Sequence, residues 1–135
     1  DNYVYITGRK KALIVNREGK NIYPEEVELQ INQSPLVLEC VVLGYRDPGE
    51  AVGEHVGVIV VPNEEGIAAL EAAEKRKFSE KEIEARLRAE VKKQVDALAD
   101  YKHPRRIRIR WEEFSKTSTG KIKRYLYAMN ETSVE

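Results

Sequence analysis

The sequence has one cysteine, no long apolar run and no excess of either charge, and each shortage excludes a class of protein. Cys40 is the single cysteine of 135 residues, so no intrachain disulfide can form and a reducing cytosol is the expected setting. The 23 basic and 23 acidic residues cancel, so no overall field attracts nucleic acid or an anionic membrane. No segment approaches the roughly 20 apolar residues of a membrane-spanning helix. We therefore expect a cytoplasmic protein without a transmembrane segment.

The residues that are present suit one domain of ordinary size. The chain is 41% hydrophobic and 34% charged, enough apolar material for one modest core under a charged surface. It begins with Asp1 and has neither an initiator methionine nor a basic leader. We expect residues 1–135 to be a single domain excised from a longer protein.

Local patterns predict an α+β fold, a small central mixed sheet flanked by helices, with an N-terminal two-stranded hairpin. Ser79 and Glu82 resemble a capping box at the start of the clearest helix. The segment 106–111 alternates strictly, which predicts a strand with its arginines outward and Ile107, Ile109 and Trp111 inward. Predicted strands cover 3–6, 12–15, 36–43, 55–61 and 106–111, and predicted helices cover 24–33, 67–77, 80–98 and 122–129.

A polar loop at 115–120 places a glycine directly before a lysine. The pair Gly120-Lys121 suggests a phosphate-binding P-loop, but that motif needs glycine where Ser115 stands and serine or threonine where Ile122 stands. What remains is a turn that presents one ammonium group, which suits neutralisation of an anion on another surface. Taken alone, the loop is equally compatible with a solvated basic turn.

A second segment, near the N-terminus, carries a longer signature. It comprises Ile6-Thr7-Gly8-Arg9-Lys10-Lys11, Ile14, Gly19-Lys20-Asn21-Ile22 and Pro24-Glu25-Glu26-Val27-Glu28. Here the chain resembles the C-terminal domain of the adenylate-forming superfamily, which includes acyl-CoA synthetases, luciferases and peptide-synthetase adenylation domains. The loop that ends TSTGKIKR resembles the closing motif of the same domain. The two motifs stand in the expected order at opposite ends, so the resemblance covers essentially the whole chain.

The resemblance implies a role for each matching residue. Lys121 corresponds to the catalytic, nucleotide-contacting lysine of adenylation, and Arg9 to an arginine that approaches the nucleotide. Lys11 corresponds to the hinge, within a hinge region of residues 1–11, about which the small domain swings between two half-reactions. The loop presented to the pantetheine of CoA after the swing corresponds to Gly19, Lys20 and Asn21.

The function implied is that of an ATP-dependent acid–CoA ligase, of the fatty acyl-CoA synthetase type, that forms acyl-AMP and then acyl-CoA. ATP, CoA and a carboxylic acid would be its substrates. Mg²⁺ would accompany ATP, but its ligands should belong to a large N-terminal domain absent from this chain, so no metal ligand is assigned here. Two alternatives stay open: an adenylation domain that loads a carrier protein, and a stand-alone basic module for RNA or a partner protein.

The remaining polar residues suggest no further site. His55 and His103 are too isolated for a ligand set, and Cys40 is expected to be a buried apolar residue. The stretch 102–124 holds nine basic residues against Glu112 and Glu113. Aromatic stacking residues are scarce in this stretch and Trp111 falls on the inward phase of its strand, so we expect an electropositive face toward ATP or the 3′-phosphate of CoA and not an RNA-binding surface.

Overall fold

A short hairpin opens the part of the chain that the computed structural model describes, residues 13–129. Strands β1 (Ile14–Val15) and β2 (Asn21–Ile22) are antiparallel, and Ile14 lies opposite Ile22. Both isoleucines are buried, so the hairpin joins the core through one face. A two-stranded hairpin is present as predicted, but its second strand, Asn21–Ile22, was not predicted, and the predicted strand at 3–6 lies outside the described residues.

A three-stranded mixed sheet forms the centre of the domain, as predicted. Its strands are β3 (Val37–Tyr45), β4 (His55–Pro62) and β5 (Arg106–Ile109), in the order β3-β4-β5. The pair β3/β4 is antiparallel, and the pair β4/β5 is parallel. A parallel pair needs a long crossover connection, which the helical segment between β4 and β5 supplies.

Three helices flank the sheet, and local sequence signals explain where they begin. Helix α1 (Pro24–Ile31) has proline in its first turn, where a missing N–H costs nothing. Helix α2 (Glu64–Glu74) begins three residues before the prediction because the side chain of Asn63 accepts from the backbone N–H groups of Glu65 and Gly66. Helix α3 (Glu80–Gln94) begins at Ser79, whose Oγ accepts from the N–H of Glu82. None of these helices is long and apolar enough to cross a bilayer.

Apolar side chains cover both faces of the sheet. The larger cluster joins the hairpin, α1 and α3 to one face, and the smaller cluster packs the chain after β5 against the other. Alternate residues of β3 divide between them, with Val42 in the first cluster and Val41 in the second. Cys40 is buried in the larger cluster, as expected, and its burial raises the pKa of the thiol.

The end of the chain differs from the prediction in three places. Trp111 was expected to face inward but is 40% exposed, because β5 ends at Ile109 and its alternation does not continue. Arg108 was expected to face outward but is buried, and its guanidinium donates to the carbonyl of Ala128 at 2.7 Å. The predicted helix at 122–129 is wrong: a single 3-10 turn covers Arg124–Leu126.

Backbone pairing explains the missing helix. Ile122 forms a β-bridge with Lys116, and the N–H of Lys123 donates to the carbonyl of Ser115. This pairing holds the backbone out of the helical conformation, with Lys123 at φ −81° and ψ 82°, so no α-helix starts at 122. The clearest predicted helix also ends early, at Gln94 instead of residue 98, although Leu98 still packs against the core from a following turn.

Candidate functional site

Lys121 lies in a tight hairpin whose shape is set by local hydrogen bonds. The N–H of Thr117 donates to the carbonyl of Lys121 at 2.8 Å, and the N–H of Gly120 donates to that of Thr117 at 2.9 Å. Gly120 has a φ of +87°, a region that an L-residue enters only with strain. Nothing lies within 4 Å of the position that a Cβ on Gly120 would occupy. The glycine is thus needed for the turn, and the space around it is open.

The side chain of Lys121 is exposed, and it makes no ion pair or side-chain hydrogen bond with residues 13–129. Its hairpin neighbour Lys116 differs, because that ammonium pairs with Glu39 at 2.8 Å and with Glu113 at 3.4 Å. The hydrogen bond to Glu39 raises the pKa of Lys116. Of these two lysines, only Lys121 is therefore available to an external anion within the described structure.

Two carboxylates of the sheet region hold the ends of this hairpin. Before the turn, Glu39 on β3 accepts from the backbone N–H of Phe114 at 2.8 Å as well as from Lys116. After the turn, Arg124 donates to the carbonyl of Val42 at 3.2 Å and pairs with Glu28. The base of the hairpin is thereby tied to β3 and α1.

Glu28 is a residue whose role the sequence analysis did not foresee. Glu25, Glu26 and Glu28 all stand near the start of α1, where acidic residues complement the helix dipole. Glu28 is 9% exposed, and burial raises the pKa of its carboxyl although Arg124 and the N–H of Val42 act in the opposite direction. In the sequence, the only indication of this burial is the position of Glu28 next to Val27, on the apolar side of the helix.

Gly19 occupies a second turn, between β1 and β2. Its φ is +82°, its N–H donates to the carbonyl of Asn16 at 2.9 Å, and no atom lies within 4 Å of a hypothetical Cβ. Lys20 lies over the ring of Tyr101 at 5.3 Å, and Asn21 is exposed on β2. The turn therefore has open space around its glycine and a cation at its side.

The Gly19 turn borders a cleft of about 240 Å³, which also involves the loop before β4 and the 3-10 turn Asp100–Lys102. No hydrogen bond or ion pair among residues 13–129 joins this turn to the Lys121 hairpin. The Gly19 turn and the Lys121 hairpin are therefore two separate loops without direct polar contact in the described structure. Arg9 and Lys11 lie outside the described residues, so their roles stay predictions.

His55 is less isolated than its sequence position indicates. Its Nε2 lies 2.9 Å from Glu50, and its Nδ1 lies 2.9 Å from Arg105. Because a guanidinium only donates, Nδ1 accepts, and Nε2 then carries the proton that Glu50 accepts. Asp47, the third member of this group, is paired with Arg106 at 3.2 Å. We interpret the group as an ion-pair cluster, since its histidine has no free lone pair for a metal.

Within the described part of the chain, five of the nine basic residues in the stretch 102–124 pair with carboxylates, four of which come from elsewhere in the fold. The pairs are Lys102 with Glu26, Arg106 with Asp47, Arg110 with Glu112, Lys116 with Glu39, and Arg124 with Glu28. The expectation that this stretch faces ATP or the 3′-phosphate of CoA stays a prediction. The positive charge that remains unpaired in this stretch includes Lys121.

Comparison with known proteins agrees with this fold. Residues 26–121 match the AMP-binding enzyme C-terminal domain, so the chain belongs to that family. It is 34% identical over 122 residues to the malonate–CoA ligase of Arabidopsis thaliana, covering 90% of this chain and 18% of that protein. A mitochondrial medium-chain acyl-CoA ligase of Danio rerio is 33% identical over 123 residues, or 91% of this chain and 17% of the relative.

A solved structure gives the same result. The fatty acyl-CoA synthetase of Mycobacterium tuberculosis superposes with a TM-score of 0.58 at 27% identity, over 92% of this chain and 20% of that one. The chain thus spans about a fifth of the length of the relatives it matches. Its fold is that of the small C-terminal domain of adenylate-forming enzymes.

Proposed function

We propose that this chain is the C-terminal lid of an ATP-dependent acid–CoA ligase, whose large N-terminal domain binds the acid and the adenine. The observation that carries the proposal is the exposed ammonium of Lys121, without an ion-pair partner among residues 13–129 and at the end of an anchored hairpin. The similarity to proteins named as malonate, medium-chain acyl and fatty acyl-CoA ligases supports it.

In the first half-reaction the carboxylate of the acid attacks the α-phosphorus of ATP. The new O–P bond gives acyl-AMP, and the bond to the β-phosphate breaks to release pyrophosphate. Lys121 would lie between the carboxylate and the α-phosphate and offset the negative charge that meets there, which is electrostatic stabilisation of a phosphoryl-transfer transition state. Mg²⁺ would accompany ATP with ligands from the large domain.

In the second half-reaction the sulfur of CoA attacks the acyl carbon, forming acyl-CoA and releasing AMP. The domain would first swing about Lys11, with Arg9 near the nucleotide, so that the Gly19 turn replaces the Lys121 hairpin at the reacting centre. The open space at Gly19 would leave room for the pantetheine arm, flanked by Lys20 and Asn21. The separation of the two loops in this structure supports use of one at a time.

The acid is proposed to be a fatty acid, because the signature around Gly19 most resembles fatty acyl-CoA synthetases. The named relatives take acids as different as malonate and a medium-chain acyl group, so this domain does not itself select the acid. A cytosolic location is proposed from the lone cysteine. Neutralisation of the basic stretch argues against the RNA-binding alternative, and relatives named as CoA ligases favour CoA over a carrier protein.

The test is Lys121→Ala in the full-length enzyme. We expect acyl-AMP formation to fall by at least about a hundredfold, the usual effect of removing one charge-stabilising donor. Thioester formation from supplied acyl-AMP should be nearly unchanged. The matched control is Lys92→Ala, which removes the same charge from an exposed position on α3. Equal loss in both half-reactions, or an equal effect of the control, would refute the assignment.

A further inference from the structure

The segment that follows Lys121 is tied to a residue 96 positions away in the chain. Arg124, three residues after the lysine, directs its Nη2 at Oε1 of Glu28, 2.5 Å away. Its Nη1 donates to the carbonyl of Val42 at 3.2 Å. The other oxygen of Glu28 accepts from the N–H of Val42 at 2.7 Å. One guanidinium, one carboxylate and the N–H and C=O groups of one β3 residue therefore form a closed ring of hydrogen bonds.

This ring restricts the orientation of the Arg124 side chain more strongly than a packed apolar contact would. A guanidinium offers its N–H groups in a planar fork, so two acceptors on different elements hold both its position and its orientation. Burial of such a pair is a poor source of stability, since apolar residues of similar volume often replace it without loss. Glu28 is buried and the Arg124 side chain is 28% exposed, so this partly buried pair beside an exposed lysine suggests a demand for exact placement.

The ring also joins the two candidate loops. Glu28 lies on α1, which begins at Pro24, directly after the hairpin that carries Gly19. Arg124 lies in the 3-10 turn directly after the hairpin that carries Lys121. This contact links the segments that follow the two loops, although no hydrogen bond joins the loops themselves within residues 13–129.

We propose that Glu28 and Arg124 are positioning residues for Lys121, holding its hairpin so that the ammonium meets the carboxylate and the α-phosphate. This inference rests on the proposed function. Neither residue touches substrate. Their contribution to catalysis is made entirely through the place of the lysine. Loss of the ring should leave the hairpin itself folded, because Glu39 still binds the N–H of Phe114 and the ammonium of Lys116 at the other end of the hairpin.

The test is a double-mutant cycle on acyl-AMP formation in the full-length enzyme. Arg124→Gln should lower kcat by about tenfold or more in the native background, since a displacement on the order of 1 Å costs catalysis heavily. In a Lys121→Ala background the same change should have less than about a twofold effect, because residues that act as a unit are not additive. Arg124→Lys, which keeps the charge but loses the fork, should restore only part of the rate.

Two further variants complete the design. Glu28→Gln keeps the shape of the side chain but removes its charge. It should lower acyl-AMP formation in the native background and not in the Lys121→Ala background, and so provides the same test if the Arg124→Gln protein fails to fold. Arg88→Gln is the matched control, because Arg88 also donates to a strand carbonyl, at 3.2 Å from the oxygen of Ile107, but lies on α3. It should leave both half-reactions unchanged.

The outcomes separate the inference from the function on which it rests. Equal loss from Arg124→Gln with and without Lys121, or no loss in the native background, overturns the positioning role. The same holds for Glu28→Gln if its loss is equal in both backgrounds. If Lys121→Ala alone leaves acyl-AMP formation intact, the proposed function fails first, and the positioning role with it.

Discussion

Gly19 offers a test that distinguishes a turn glycine from a residue that makes room for a thiol. Its φ of +82° requires glycine or a residue that tolerates left-handed backbone, and the space around its missing Cβ is empty. Gly19→Ala should cost about 1–2 kcal/mol of unfolding free energy through backbone strain alone. Gly19→Asn should cost less, because asparagine enters this region more readily. It nevertheless adds a side chain to the open space.

In the full-length enzyme, Gly19→Asn should therefore preserve the fold while slowing thioester formation from supplied acyl-AMP. We expect at least about a tenfold loss, equivalent to about 1.4 kcal/mol of transition-state stabilisation. Acyl-AMP formation should be unchanged. Gly120→Asn should reverse this pattern, because Gly120 has a φ of +87° and equally open space in the other loop.

Gly49→Asn is the conformational control for both changes. Gly49 has a φ of +91° and no neighbour within 4 Å of its hypothetical Cβ, so the variant measures the cost of the backbone conformation alone. The assays are single-turnover measurements of each half-reaction, with urea unfolding of each variant. A normal thioesterification rate in Gly19→Asn, with the side chain accommodated, would refute the pantetheine role and leave an ordinary turn.

Two more predictions concern stability and pH. Leu87→Ala should lower the unfolding free energy by about 2–5 kcal/mol in urea titrations, because Leu87 is fully buried, whereas Leu29→Ala, at 63% exposed, should stay within about 0.5 kcal/mol. Equal effects would contradict the assignment of the core. The pKa of Glu50 is lowered from its ordinary value of 4.5, first by the backbone N–H of Asp47 and then by His55. A lowered folded pKa means that this stabilisation is present above 4.5 and is lost as the pH falls through the folded value. The protection factor of the Asp47 amide against hydrogen exchange should fall over that acidic range, because its N–H donates to Glu50, and Glu50→Gln should remove this pH dependence; an unchanged acid profile in that variant would count against the carboxylate.

Local chemistry accounts for what was foreseen from the sequence. The apolar runs of β3 and β4, the capping serine before α3 and the proline that opens α1 each act over a few neighbouring residues. Turns that need a positive φ are marked by glycine for the same reason, as at Gly19 and Gly120. The resemblance that singled out Lys121 rests on two such short segments. All of these features can be recognised in the sequence without knowing which helices and strands pack together.

Local sequence patterns do not predict the burial or backbone conformation of residues whose contacts lie far away in the chain. Trp111 is exposed and Arg108 buried because β5 stops at Ile109 and the chain after it covers a second face of the sheet. Residues 122–129 form no α-helix because the bridge between Ile122 and Lys116, on the other side of the turn, holds the backbone in a non-helical conformation.

The sequence by itself determined the central strands β3 and β4, the starts of α1 and α3 and the two glycine turns, since propensity, capping and backbone strain act locally. Only the tertiary structure decided which charges are neutralised and which remain available. Glu28 and Arg124 are 96 residues apart, and nothing in either neighbourhood specifies the other. An ion pair forms where folding brings two elements together and excludes water, and that proximity is a property of the whole packed domain.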